Sequence, residues 1–368
     1  MTRHRTDIAI VGAGIAGVSL AAALAPHARV ALIEAEAHPA MHSTGRSAAF
    51  FAETYGGPVV QPLTTASKPF FLNPPSEFAD VPLVTPRGAL HVADDDGAAL
   101  RRLAETFAGS PVVVDVLGEA QTRARCPLLA ADWNRRALWE PECRDIDVAA
   151  LHQGYLRMAK RDGARMFTEA PLLTAAREAE RWRLQAGTSA IEAEIVVNAA
   201  GAWADPVALL LGAKPLGIQP FRRNMVVAET DRTFASDSPL VVDAGGGLYF
   251  KPEGDRLWIS PHDEIPADPG DARPEDIDIA IAIDRFERAT TAKVMRVTHS
   301  WAGLRSFAPD RLPVYGYDEN VPNLFWCAGQ GGFGIQTAPA AAEMAAAGVL
   351  KRRSVNIDPQ PYAATRFS

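Results

Sequence analysis

Residues 6–17 read Thr-Asp-Ile-Ala-Ile-Val-Gly-Ala-Gly-Ile-Ala-Gly, and this stretch decides the fold. The apolar, partly β-branched run at 8–11 predicts a buried parallel strand. Glycines follow with G-x-G-x-x-G spacing, and a helical pattern rich in Ala and Leu begins directly after them. This order of strand, turn and helix is typical of a fold that binds a dinucleotide.

The three glycines have different tasks in such a turn. Gly12 lets the chain turn, Gly14 lets the backbone approach a pyrophosphate, and Gly17 lets the helix pack closely on the strand. The phosphates then lie at the helix N-terminus, beside Ile15 and Ala16, where free N–H groups and the helix dipole favour negative charge.

A second predicted strand, at 30–34, ends in Glu34, 17 residues after Gly17. A carboxylate at this position is expected to accept hydrogen bonds from the ribose hydroxyls of an adenosine. The alternative is a signal peptide or membrane anchor, because residues 8–25 are uncharged. A bilayer span needs ~20 apolar residues, however, and glycines at phosphate-binding spacing are unexpected in one. The dinucleotide fold is therefore favoured.

The length and composition of the chain limit the classes of protein to which it can belong. The 368 residues allow two domains of ordinary size, and 48% hydrophobic with 22% charged residues is typical of a soluble globular protein. The net charge of −7 argues against a nucleic-acid partner. The sequence contains no second long apolar run, so we predict no integral membrane segment. Cys126, Cys143 and Cys327 form no C-x-x-C pair, so we predict no disulfide framework, no metal site and a cytoplasmic location.

The sequence pattern changes after residue 55. Prolines between 58 and 86, among them Pro62 and Pro69, are expected to break helices, and short strand-like runs intervene. A helical pattern returns after Asp147. We predict a discontinuous cofactor domain of residues 1–55, 145–215 and 310–368, and a substrate domain of residues 56–144 and 216–309.

A second glycine-rich loop opens a helix near the C-terminus, at residues 329–337. One anion-facing helix N-terminus serves the pyrophosphate, and another is needed only if the ligand has a second electron-rich end. A flavin gains negative charge at its N1–C2 carbonyl edge on reduction, whereas a nicotinamide gains none. The sequence therefore favours FAD over NAD.

Two further stretches are ambiguous on composition alone. Residues 42–49 suit either a loop that contacts phosphate or a ring edge, or an ordinary polar loop. Residues 195–203 form a predicted buried strand that ends in small residues, which suits either a backbone lying against a flat ligand or a tight strand-to-helix turn.

Taken together, these motifs resemble the D-amino-acid oxidase superfamily of flavoenzymes, and most closely bacterial FAD-dependent D-arginine dehydrogenases. The resemblance extends through 151–157 and 301–307 and covers nearly the whole chain. It implies an α/β fold (α+β overall), in which a Rossmann-like FAD-binding domain carries an inserted antiparallel-sheet substrate domain. It also implies non-covalent FAD and oxidation of a D-amino acid to an imino acid, which hydrolyses to the 2-oxo acid and ammonia. The implied electron acceptor is oxygen or a quinone.

The resemblance assigns the cofactor-binding residues by position. They are Gly12, Gly14, Ile15, Ala16, Gly17, Glu34, Ser43, Thr44, Gly45, Arg46, Ser47, Ala48, Ala49, Ala200, Gly201, Trp203, Gly331, Gly332, Phe333, Gly334, Ile335, Gln336 and Thr337.

The resemblance also implies a substrate site. Arg223 and Arg305 would hold the substrate carboxylate, with Tyr249 adding a hydroxyl group. Guanidinium groups suit bidentate, charge-assisted contact with a carboxylate, although residues 222–223 taken alone also fit a pair of solvated charges. The other implied contacts are Tyr55, Gln336 beside the flavin and substrate, and the carbonyl group of Gly303.

The chain departs from the D-arginine enzymes at two pocket positions. Ala89 stands in place of the acid that meets the substrate guanidinium, and Phe50 in place of an active-site histidine. Both changes make the pocket less polar, so we expect uncharged or apolar side chains to be preferred. Glu53 and, more distantly, Asp243 are the carboxylates that could replace the missing acid. No catalytic base is evident among the histidines, since His42 fits a structural role best.

Two other functions stay open on the sequence. One is a secondary-amine oxidase of the glycine/sarcosine type, on the same fold with the same arginines. The other is a non-catalytic flavoprotein, which is less favoured because a binding module needs no carboxylate clamp.

Overall fold

The computed structural model describes residues 3–94, 97–354 and 356–367. Its strands are β1 (Arg3–Arg5), β2 (Ile8–Val11), β3 (Val30–Ile33), β4 (Phe50–Phe51), β5 (Val84–Pro86), β6 (Ala89–Val92), β7 (Asp115–Gly118), β8 (Arg136–Glu140), β9 (Arg144–Ile146), β10 (Arg165–Phe167), β11 (Leu172–Glu178), β12 (Arg181–Ala186), β13 (Ser189–Ala193), β14 (Ile195–Asn198), β15 (Gln219–Thr230), β16 (Leu240–Asp243), β17 (Tyr249–Glu253), β18 (Arg256–Ser260), β19 (Ile265–Pro266), β20 (Val294–Phe307), β21 (Val314–Tyr317) and β22 (Leu324–Ala328). Its α-helices are α1 (Ile15–Leu24), α2 (Gly57–Leu72), α3 (Ala98–Phe107), α4 (Glu119–Arg125), α5 (Val148–Arg161), α6 (Ala204–Leu210), α7 (Asp276–Ala289) and α8 (Gly334–Val349).

A parallel sheet with the order β10-β3-β2-β14-β22-β21 forms the first layer, and β21 is its antiparallel edge strand. All four residues of β2 are buried, as the apolar run predicts. Helices α1, α5 and α8 cover one face. The small sheet β1-β13-β12-β11 packs on the other through residues such as Trp182 and Leu184. The predicted Rossmann-like unit is confirmed.

The membrane-anchor interpretation of residues 8–25 is wrong. These residues form a strand in the middle of the parallel sheet and then the short helix α1, with a glycine turn between them. None of the helices within the described ranges is both long enough and apolar enough to cross a membrane.

A larger sheet holds the second layer, with the order β19-β15-β18-β17-β16-β6-β8-β7 and with β20 paired along β15. Its pairs are antiparallel, as expected, apart from the parallel pair of β6 with β16. Helix α7 packs on this sheet through Ala282 and Phe286. The long β15–β20 pair matters for the site, because the C-terminal end of β20 reaches the loop before α8, where Phe307 forms a β-bridge with Gln330.

The prediction that prolines break the chain after residue 55 is wrong for Pro62 and Pro69, which lie inside α2. Each proline removes one backbone hydrogen bond, at a cost of ~3 kcal/mol in a helix interior. Burial of Leu63 and Phe71 offsets this cost, because α2 packs against α8 and joins the core of the parallel sheet. The Ser67 hydroxyl also accepts the N–H of Ala340 in α8 at 3.1 Å. The division into two domains stays a prediction.

Candidate functional site

A cavity of about 400 Å³ runs from the carboxyl ends of β2, β3 and β14 to the loop that precedes α8. Ligands of doubly wound folds bind at this edge of the sheet. The predicted cofactor residues in its wall are Gly12, Gly14, Ile15, Ala16, Glu34, Ser43, Thr44, Arg46, Ser47, Ala200, Gly201, Trp203, Gly331, Gly332, Gly334 and Ile335. The other predicted cofactor residues are not part of the cavity wall formed by the described residues. They are Gly17, Gly45, Ala48, Ala49, Phe333, Gln336 and Thr337.

The first glycine turn fits a pyrophosphate. Gly12 has φ +102°, and a Cβ there would lie 2.4 Å from the carbonyl oxygen of Ala199. A Cβ on Gly17 would lie 1.9 Å from the Gly12 carbonyl oxygen, so α1 approaches β2 as closely as predicted. Gly14 lines the cavity, and the N–H of Ile15 at the start of α1 donates to the Thr44 hydroxyl at 3.0 Å. The N-terminus of α1 therefore faces the cavity.

Glu34 is fixed at the end of β3. Its Oε2 accepts the N–H of Ala13 at 2.9 Å, and its Oε1 accepts the N–H of Glu36 at 3.0 Å. The sequence motif predicts the position of this carboxylate but not these two backbone bonds. Each oxygen still has a lone pair, so the carboxylate can also accept from ribose hydroxyls.

The second glycine loop forms the other end of the cavity. Gly331 has φ +55°, and a Cβ there would lie 2.2 Å from the Phe307 ring. A Cβ on Gly332 would lie 2.1 Å from the Tyr55 hydroxyl oxygen. Ser306 lines this end, and its buried Oγ has no hydrogen-bond partner within the described ranges. A polar ligand edge at the N-terminus of α8 would satisfy that atom, which fits the predicted flavin ring.

Arg46 joins the cofactor loop to the larger sheet. Its guanidinium donates to the carbonyl oxygens of Ala272 at 2.8 Å and Ala302 at 3.2 Å, and it pairs with Asp271. The indole N–H of Trp301 donates to the Arg46 carbonyl oxygen at 2.9 Å. Arg46 therefore lines the cavity while its charge is bound by protein groups.

Arg223 and Arg305 lie on neighbouring strands, since Arg223 pairs with Gly303 in the β15–β20 register. Burial and then the charge of Arg305 lower the pKa of Arg223. Arg223 donates to the Asp263 carbonyl oxygen and, at 3.2 Å, to Glu264, but its buried Nη1 has no partner among the described residues. Two neighbouring guanidinium groups with N–H donors that no described residue accepts are suited to binding an anion.

Phe50, Tyr55, Ala89 and Tyr249 come together in one apolar cluster. The Phe50 ring centroid lies 5.4 Å from that of Tyr55 and 5.8 Å from that of Tyr249. Ala89 is fully buried. The Tyr249 hydroxyl donates to the sulfur of Met225 at 3.2 Å, so its contact with a substrate carboxylate stays a prediction.

Gln336 is buried and holds the loop that carries Tyr55. Its Oε1 accepts the N–H of Ala52 at 3.1 Å, and its Nε2 donates to the Tyr55 carbonyl oxygen and to the Thr64 hydroxyl, both at 3.0 Å. Its amide groups are engaged with protein, so the geometry supports positioning of Tyr55.

Glu140 fixes the same loop from the larger sheet. Its Oε1 accepts the N–H of Glu53 at 2.6 Å, and its Oε2 accepts the Thr54 hydroxyl at 2.7 Å and pairs with His91 at 3.1 Å. Burial alone would raise the pKa of Glu140, but the hydrogen bonds and the charge of His91 outweigh it and hold the pKa below its usual value.

The sequence analysis named neither Glu140 nor His262, and His262 lies beside both substrate-side tyrosines. Its ring centroid lies 5.5 Å from that of Tyr249 and 6.5 Å from that of Tyr55. Burial, followed by the charges of Arg223 and Arg305, lowers its pKa to about 3. No motif contains it, because strand pairing in the larger sheet brings it to the arginines.

A dinucleotide cavity with two glycine loops, next to a pair of arginines on a second sheet, is an arrangement that suits a flavoprotein. The sequence matches the FAD dependent oxidoreductase (DAO) family over residues 7–347, and the chain belongs to this family. It is therefore an FAD-dependent oxidoreductase, and the predicted cofactor, FAD, is confirmed.

Relatives cover the whole length of the chain. The chain is 25% identical to FAD-dependent oxidoreductase domain-containing protein 1 of Bos taurus over 99% of the chain and 85% of that protein. It is 24% identical to glycine oxidase of Geobacillus kaustophilus over 99% of the chain and 97% of that protein. The crystal structure of L-proline dehydrogenase from P. horikoshii superposes with a TM-score of 0.87 at 22% identity, covering 100% of this chain and 98% of that one. The predicted membership of the superfamily is confirmed. The relatives named here do not include a D-arginine dehydrogenase, so they do not support the narrower resemblance.

Proposed function

We propose that this protein oxidises the carbon–nitrogen bond of an α-amino acid, with D-amino acids that have uncharged side chains as its substrates. The observation that carries the proposal is Arg305 in the cavity wall with Arg223 on the neighbouring strand. Within the described ranges, neither the Arg305 guanidinium nor the buried Nη1 of Arg223 has a hydrogen-bond partner, so both can donate to a carboxylate. The residues of the two glycine loops in the cavity wall would hold FAD, which would supply the two-electron oxidant for the substrate Cα–H bond. The resulting imino acid would hydrolyse in water to the 2-oxo acid and ammonia.

The protein residues bind and orient the substrate. Arg223 and Arg305 hold the carboxylate, and the carbonyl group of Gly303, which lies in the cavity wall, faces the amine. Gln336 and Glu140 hold the loop that carries Tyr55 and so fix the position of its ring. Holding the substrate in one orientation supplies much of the rate in reactions of this kind.

The two carboxylates that could replace the missing acid, Glu53 and Asp243, are both engaged by other groups of the protein. Glu53 is buried, accepts the Thr65 hydroxyl at 2.5 Å and pairs with Lys68 at 3.4 Å. Asp243 accepts the N–H groups of Gly245 and Gly247 in its own turn. A cationic side chain would lose its water at a cost of several kcal/mol, whereas each buried CH₂ of an apolar one gains ~0.8 kcal/mol.

A second candidate is a secondary-amine oxidase of the glycine/sarcosine type. It is favoured by the glycine oxidase relative, which the chain matches over 97% of that protein's length. The same two arginines would hold the carboxylate of such a substrate. The non-catalytic alternative lacks support of this kind.

Anaerobic bleaching of the bound flavin separates these functions. We expect bleaching by D-leucine, D-methionine and D-phenylalanine, and little by their L-isomers or by sarcosine. Bleaching by sarcosine or glycine alone would establish the second candidate, and no bleaching by any amino acid would refute both. Reoxidation of the reduced flavin by air or by a soluble quinone then identifies the electron acceptor.

A substrate panel tests the proposed side-chain preference. We expect kcat/KM for D-arginine to lie below that for D-leucine. Ala89→Glu should shift the preference toward D-arginine, whereas Ala89→Gln, of nearly the same size, should not. A wild-type enzyme that prefers D-arginine would overturn this part of the proposal.

A further inference from the structure

The turn that follows β18 carries His262 into the substrate site. The backbone of His262 has φ +53°, a conformation that few non-glycine residues adopt. The Ser260 hydroxyl accepts its N–H at 3.2 Å. Asp263 then bonds to Asn224 through its carboxylate and to Arg223 through its carbonyl oxygen. The turn is therefore tied to β15, next to the arginine pair.

Cations and aromatic rings surround the imidazole. Arg223 and Arg305 face it from β15 and β20, and Arg285 faces it from α7 while donating to the Pro261 carbonyl oxygen. The carboxylates on its own turn, Asp263 and Glu264, are engaged by Asn224, Arg223 and Arg311. Burial and the three arginine charges hold its pKa at about 3, so the ring is neutral at neutral pH.

Two buried polar atoms at this place have no partner among the described residues: Nδ1 of His262 and Nη1 of Arg223. A buried donor without an acceptor is costly, and native proteins rarely retain one unless a ligand uses it. Both atoms belong to groups that the anion site brings together. An anion bound to the arginines can accept from both.

We propose that His262 contacts the substrate, donating its Nδ1–H to the carboxylate held by Arg223 and Arg305. This inference rests on the proposed function. A neutral donor suits this position, because a third cation would add repulsion to an arginine pair that is already close. The ring also packs against Tyr249, so it orients the carboxylate relative to the aromatic wall.

Two substitutions of similar size test the proposal. In His262→Asn the amide nitrogen takes the place of Nδ1, and asparagine tolerates positive φ. His262→Leu has nearly the same shape and no donor. The probe is acetate, a carboxylate without an amine, titrated into the FAD-loaded protein and followed by the absorption change of the bound flavin. We expect acetate to bind about 10- to 100-fold more weakly to the leucine variant and within a few-fold of wild type to the asparagine variant.

Substrate kinetics give a second readout. Loss of a contact made equally in the bound substrate and the transition state raises KM and leaves kcat nearly unchanged. We expect this split for His262→Leu and its reversal in His262→Asn. If the leucine variant fails to bind FAD, His262→Phe, which retains ring packing against Tyr249, replaces it.

The outcomes separate this inference from the proposed function. Weak acetate binding by both His262→Leu and Arg305→Leu supports both. Weak binding by Arg305→Leu alone, or equal loss in the leucine and asparagine variants, overturns the role of His262 and leaves the carboxylate site standing. Normal acetate binding by both His262→Leu and Arg305→Leu refutes the carboxylate site itself.

Discussion

Replacing either arginine of the anion site by leucine should abolish most turnover, but the two changes should affect stability differently. Arg305 makes no hydrogen bond or ion pair through its guanidinium within the described ranges, and it lies near the cation of Arg223. Arg223 is buried and holds the turn after β18 through Asp263 and Glu264. We therefore expect Arg305 to serve the proposed ligand alone, and Arg223 to serve both the ligand and the fold.

The magnitudes follow from these contacts. Loss of one partner of a buried charge pair costs ~3–5 kcal/mol, so either variant should lose about a hundredfold to several thousandfold in kcat/KM. Arg305→Leu also removes repulsion between like charges, so its Tm should be equal to or above that of wild type. Arg223→Leu removes hydrogen bonds to Asp263 and Glu264, which should lower the free energy of unfolding by about 1.5–3 kcal/mol.

Steady-state kinetics with D-amino acids and thermal unfolding of the FAD-loaded protein measure both effects. Arg296→Leu is a matched control, because Arg296 lies on the same strand as Arg305 and its guanidinium forms an exposed pair with Glu229 at 3.0 Å, its one side-chain partner among the described residues. It should change neither quantity by a large amount. Near-normal kcat/KM in Arg305→Leu would refute its role as a carboxylate ligand. A lower Tm in Arg305→Leu than in Arg223→Leu would refute the division of roles.

Three further predictions concern the cofactor and pH. The purified protein should be yellow and release intact FAD on heat or acid denaturation, and a folded, colourless protein that FAD cannot reconstitute would contradict this. Gly332→Ala should weaken FAD binding to the apoprotein, measured by quenching of flavin fluorescence, because its methyl group would lie 2.1 Å from the Tyr55 hydroxyl oxygen. Gly118→Ala, where a Cβ meets nothing within 4 Å, should leave FAD binding unchanged. Between pH 6.5 and about 3, the unfolded chain binds more protons at His262 than the folded chain does, so the free energy of unfolding should fall as the pH is lowered. Chemical denaturation at pH 7 and pH 4.5 should therefore show a larger loss of stability in the wild type than in His262→Asn.

The part of the cavity around the first glycine turn and Glu34 is encoded locally, and it could therefore be predicted from the sequence. Gly12, Gly14 and Gly17 act through the backbone of one short segment, and the strand before them and the helix after them follow from simple hydrophobic patterns. Glu34 lies at the end of the next strand, at a spacing set by one helix and two turns. Each of these relations spans fewer than 25 residues, so the sequence carries them without knowledge of distant packing.

The prolines of α2 show where local rules fail. Pro62 and Pro69 favour a break, but the helix faces α8, and its apolar residues gain more from that contact than the missing hydrogen bonds cost. The partner helix begins at Gly334, more than 250 residues later in the chain. Local propensity could not reveal a contact at that distance.

The substrate half depends on contacts that only the folded sheet creates. Ala89 lies directly opposite Glu140 in the β6–β8 register, so a carboxylate stands beside the position where the sequence shows only an alanine. The Glu140 carboxylate already accepts hydrogen bonds from the Glu53 N–H and the Thr54 hydroxyl and pairs with His91. It therefore fixes a loop and is not available to pair with a ligand cation. A pocket can therefore lie close to an acid and still reject a cation, because the hydrogen bonds that the acid already makes decide whether its charge is available.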